Sequence, residues 1–108
     1  MFDKLEDLVE RLQAVLEELN DPSVVNDQQK FKSLMKEQND LTPIVEKYKE
    51  YKDTKQTIEE SLEMLEEESD EEMRELAKEE LSEARKNLTD LEDQVFELLI
   101  SPIGSIKL

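Results

Sequence analysis

Residues 41–81 read LTPIVEKYKEYKDTKQTIEESLEMLEEESDEEMRELAKEEL, and the apolar spacing on the two sides of their acidic knot, Glu66 to Glu72, decides the fold. Leu65 pairs with Met73, Leu62 with Leu76 and Ile58 with Leu81, and the series extends to Tyr48 with Leu91, Val45 with Val95 and Leu41 with Leu98. Each pair of residue numbers sums to between 138 and 140. Two antiparallel helices need that symmetry if their apolar stripes are to meet across a tight loop. The stretch predicts a long helical hairpin.

Working outward, Phe2, Leu5, Leu8, Val9, Leu12, Val15, Leu16 and Leu19 step by threes and fours, with acids on the opposite face. This predicts a first helix over about 2–19, ended by Asn20-Asp21-Pro22. Asp21 and Pro22 are placed to cap and start one extra turn, and Asn26 or Asp27 to cap the second helix. That helix runs over about 27–67 with the stripe Phe31, Leu34, Gln38, Leu41, Val45, Tyr48, Tyr51, Ile58, Leu62 and Leu65. Pro43 removes an N–H and crowds the carbonyl of Asn39, so the helix either kinks there or restarts with Thr42 as cap. The continuous register from Leu41 to Tyr48 favours a kink.

Ser69-Asp70-Glu71-Glu72 has the Ser-x-x-Glu form of a capping box, and predicts a third helix over about 70–100. Ser101-Pro102 stops it, leaving 101–108 as an irregular tail. The expected fold is all-α: three helices, with a long coiled-coil-like hairpin braced at its base by the N-terminal helix. Lys52 to Thr57 interrupts the stripe with six polar residues, so the hairpin's midpoint is expected to be its weakest layer.

With 36 % apolar and 41 % charged residues the 108-residue chain suits one domain built of thin helical layers. Net charge is −16, which argues against generic nucleic-acid binding and against DNA in particular. The charge is uneven. Residues 30–55 carry seven lysines against five acids, while 56–83 carry thirteen acids against Arg74 and Lys78. Such runs are commonly solvated faces. Lys47, Lys49, Lys52 and Lys55, spread beside Tyr48 and Tyr51, are the candidates for touching phosphate; the bland account pairs them with Glu46, Glu50 and Asp53. The tyrosines themselves read as core.

Catalysis has little to stand on. The absence of cysteine and histidine removes thiolate chemistry and the commonest general base and metal ligand. Glu63, Glu66, Glu67, Glu68, Glu71 and Glu72 cluster round an exposed loop where nothing desolvates them, whereas paired acid/base work needs a water-excluding pocket. The knot lacks the ligand spacing and turn glycine of a calcium loop. No catalytic residue, metal site or cofactor is expected. An acidic N-terminus without an apolar run, and no stretch long enough to span a bilayer, imply a cytoplasmic protein that uses no membrane.

Three blocks carry a resemblance beyond this. MFDKLEDLVERL, DPSVVNDQQKFKSLMKEQNDLTPIVEKYKEYK and EEESDEEMRELAKEEL together resemble the N-terminal helical domain of the bacterial peptide chain release factor 1 family, over about residues 1–99. The resemblance implies translation termination. Such factors read UAA or UAG in the ribosomal A site and hydrolyse peptidyl-tRNA through a Gly-Gly-Gln loop. Their N-terminal domain does neither, and reaches toward the stalk base near ribosomal protein L11 and its rRNA. Here Glu97-Leu98-Leu99-Ile100 leads into Ser101-Pro102-Ile103-Gly104, where the family continues toward its decoding domain. Neither Gly-Gly-Gln nor a Pro-x-Thr codon-reading motif is present, so no catalytic role carries over. The sequence thus reads as a ribosome-contacting module stopping before the decoding and catalytic parts. The alternative is a free-standing coiled-coil protein that self-associates through its hairpin.

Overall fold

The computed structural model describes residues 2–100, and these form four helices and no strand: α1 (Phe2–Leu19), α2 (Pro22–Val25), α3 (Gln28–Glu67) and α4 (Glu71–Ile100). The expected tail at 101–108 and its Ser101-Pro102 stop lie outside the described residues. The chain divides into two compact units, one holding residues 2–46 together with 97–100, the other Lys47–Phe96.

In the first unit, Asp21 caps α2: its carboxylate accepts from the Ser23 N–H at 3.0 Å, and Pro22 takes the first helical position. Pro22 needs no partner for a missing N–H there, which is why proline suits helix starts. Asp27, rather than Asn26, caps α3; its carboxylate accepts from the Lys30 N–H at 3.2 Å and its carbonyl from Phe31 at 2.9 Å. Val15 of α1, Val24 of α2 and Leu34 of α3 form one buried cluster with Leu19 against it. Leu5, Leu8, Leu41 and Ile44 are buried as well. Arg11 of α1 holds Glu37 of α3 by a two-pronged ion pair. The N-terminal helix therefore braces the first half of α3 through a small apolar cluster and one salt bridge.

α3 passes through Pro43 without a break. The Thr42 hydroxyl donates to the Gln38 carbonyl at 2.7 Å, so it satisfies the preceding turn and does not cap a new helix. Restarting at Thr42 is thereby excluded.

The second unit is a two-helix antiparallel hairpin. Ala77, Leu81, Ala84, Leu91 and Val95 of α4 are buried, as are Tyr48, Tyr51 and Ser61 of α3. Leu62, Met73 and Leu76, expected on the seam, stand outside it at 42 %, 39 % and 59 % exposure. The reason is local. Ser61 and Ala77 occupy the inward positions next to them, and small residues let two helix backbones approach closely. Arg74 then fixes the rotation, its guanidinium donating to the carbonyls of Leu65 in the last turn of α3 and of Glu68 just beyond it.

The loop cap also differs from expectation. Asp70, not Ser69, caps α4, accepting from the Glu72 N–H at 3.1 Å and offering its carbonyl to Arg74 at 2.9 Å. An ionised Asp satisfies an orphan N–H and also faces the positive end of the helix dipole. Glu68 turns back to accept from the N–H groups of both Ser69 and Asp70. Three residues thus close the hairpin with most of their backbone donors satisfied.

Candidate functional site

The four lysines singled out from the sequence all lie on α3 within the hairpin unit, but they are not equivalent. Lys47 is half-buried and pairs with Glu50 at 3.4 Å. Lys52 sits over the ring of Tyr48, its ammonium 4.9 Å from the centroid. This is cation–π distance, and it holds the charge near the ring's negative face. Lys49 and Lys55 are exposed and make no ion pair among the described residues. Spacings of two and three residues on a helix fan the four around its outer surface rather than stacking them into one stripe.

Both tyrosines belong to the seam, as their positions suggested. Tyr48 and Tyr51 are buried, with ring centroids 6.4 Å apart and planes inclined by 16°. The Tyr51 hydroxyl donates to Glu92 of α4 at 3.4 Å. Burial raises the Tyr51 phenol above its ordinary value, and the nearby Glu92 charge and its hydrogen bond push the same way. Both rings are therefore structural in character, part of the buried seam, with Lys52 alone resting on one of them.

A polar groove runs along one side of the seam, and single-residue reasoning had no means to find it. Lys47, Glu50 and Asp53 of α3 face Asn87, Asp90 and Gln94 of α4 around a space of about 460 Å³. It continues toward the loop as a smaller space of about 190 Å³ that shares Thr54 and Asn87 and adds Glu80 and Glu83. The groove flanks the seam at the polar midpoint of the hairpin, while Tyr51, Ala84 and Leu91 stay buried beside it. Among the described residues, Lys47 is the one cation lining it. The acids at the loop surround no metal-binding arrangement among the described residues.

The arrangement defines a helical-hairpin module with four lysines spread around one helix and a strongly acidic loop end. Residues 8–105 match the PCRF domain, and the chain belongs to that family. It is 65 % identical over 100 residues to peptide chain release factor 1 of Lachnoclostridium phytofermentans, covering 93 % of this chain and 28 % of that protein. Over the same shares it is 56 % identical to release factor 1 of Agathobacter rectalis and 47 % to that of Clostridioides difficile. The resemblance read from the sequence holds. The chain spans a little over a quarter of the length of these curated relatives and corresponds to their N-terminal region. The catalytic motif of those factors lies outside the matched region. No solved structure matches the chain.

Proposed function

We propose that this chain serves translation termination as the N-terminal helical module of a peptide chain release factor, contacting the ribosome without taking part in codon reading or peptidyl-tRNA hydrolysis. The observation that carries this reading is the match over nearly the whole chain to the PCRF domain and to release factor 1 from several bacteria. The contact falls at the stalk base, on L11 and its rRNA, as the resemblance implies. Lys49 and Lys55, exposed and without an ion pair among the described residues, are the phosphate-facing lysines, with Lys47 and Lys52 supporting them from paired positions. The module works in the cytoplasm, uses no cofactor and performs no chemistry of its own.

Co-sedimentation with ribosomes tests the reading. The 108-residue chain should pellet with ribosomes at low salt and be displaced by full-length factor. Lys49→Glu with Lys55→Glu should weaken pelleting and lower the salt slope by roughly 0.7 to 0.9 for each phosphate no longer neutralised. Failure to pellet at any salt, or binding indifferent to both substitutions, counts against this surface.

A further inference from the structure

The loop end of the hairpin unit combines two features that the ribosome-contacting patch does not use. The first is apolar. Met64, Met73 and Leu76 stand 41 %, 39 % and 59 % exposed beside the loop, three of the eight large apolar residues exposed among the described residues. They share a side. Met64 lies seven residues beyond Thr57 on α3, while Leu76 and Met73 lie four and seven residues before Glu80 on α4. Thr57 and Glu80 line the same groove, and these helical intervals keep residues on one face. The patch therefore extends the groove toward the loop across both helices.

The second feature is charge. Residues 56–83 carry thirteen acids and two bases, a local balance of −11. Met64 is framed by Glu60, Glu63, Glu67 and Glu68, and the groove beside it by Glu80 and Glu83. No anion is welcome on such a surface, which removes nucleic acid and anionic lipid as occupants. A second copy of the chain would bring another −11 to the same place. What remains is a cation carrying apolar side chains.

We propose that this end docks a cationic amphipathic helix of a partner protein, its apolar side on Met64, Met73 and Leu76 and its basic side among the surrounding carboxylates. A third helix lying along the groove between two others is the packing that a two-helix layer lacks. Methionine suits the role because its unbranched, polarizable side chain adapts to the surface it meets. The acids steer and select the partner, while the apolar contacts supply the holding energy. The proposal uses none of the four lysines, so its outcome is separate from that of the ribosome reading.

The test is titration of the 108-residue chain into a fluorescent Lys/Leu amphipathic peptide of about 18 residues, five turns of helix. A peptide of the same composition with its leucines scrambled serves as control. The amphipathic peptide should bind more tightly than the scrambled one. Met64→Gln with Leu76→Gln, at exposed positions whose helicity circular dichroism can verify, should weaken it by about tenfold or more. Lys49→Ala with Lys55→Ala should leave it unchanged. Equal binding of the two peptides, or full binding by the Met64/Leu76 variant, overturns the proposal. So does light scattering that shows a dimer abolished by the same two substitutions, since the occupant is then a second copy.

Discussion

Arg11 and Glu37, 26 residues apart on α1 and α3, meet fork to fork at 2.5 and 2.8 Å. Two parallel N–H to oxygen bonds fix the rotation of one helix about the other as well as their separation, which a single contact does not. Hydrogen bonding from Arg11 holds the Glu37 carboxyl below its ordinary value of 4.5, against the opposing pull of partial burial.

A depressed carboxylate stabilises the fold above its unfolded pKa, and that contribution disappears as pH falls through the folded one. Glu37→Gln should therefore destabilise the protein at neutral pH and flatten the acid limb of its stability curve. Both side chains are a third or more exposed, 45 % for Arg11 and 35 % for Glu37. The loss at neutral pH should accordingly stay below about 1 kcal/mol. Urea unfolding across the range from neutrality to acid checks this; an unchanged acid limb shows the pair to be incidental.

The seam at the loop end makes a sharper contrast. Leu81 is buried, whereas Leu76, five residues earlier, is 59 % exposed. Leu81→Ala should cost about 2–5 kcal/mol, and Leu76→Ala no more than about 0.5. Ala77→Leu forces a larger side chain into the close approach and should cost about 1–3 kcal/mol. Thermal unfolding of the three variants decides. Equal losses for Leu76 and Leu81 would mean that the helices meet in a different rotation.

Pro43 sits exposed inside α3 and leaves the Asn39 carbonyl without its helical donor. Pro43→Ala restores the N–H and relieves the ring clash, worth about 3 kcal/mol in a helix interior. Part of that is returned, because alanine frees the unfolded chain by about 0.4–1 kcal/mol. A net gain of about 2 kcal/mol is expected by chemical denaturation. A variant less stable than the parent would show that the proline ring packs usefully where it is.

Much of this was legible in the residues. Spacing by threes and fours marks the helices, and Asp21-Pro22 marks the extra turn that the structure places at Pro22–Val25. The seam positions of Tyr48 and Tyr51 followed from the same periodicity. Of the candidate site, the lysines were visible and their differences were not. That Lys47 is paired and Lys52 rides on a ring, while Lys49 and Lys55 make no ion pair among the described residues, depends on rotamers and neighbours that the spacing does not encode.

What the sequence alone determined is the all-helical character, the hairpin and the family, because helical period, turn chemistry and ordered blocks of residues are properties of the chain itself. The tertiary structure decided which residues of each stripe face inward. Ser61 displaced Leu62, Ala77 displaced Leu76, and Ile44 is buried beside the half-buried Val45. Neighbours on a helix differ by about 100°, so a modest rotation exchanges them while leaving the apolar pattern intact. Arg74, reaching from α4 to the carbonyls of Leu65 and Glu68, sets that rotation at the loop. The symmetric zipper suggested by residues 41–81 is therefore closed by small residues and an arginine, with its methionines and Leu76 left facing out.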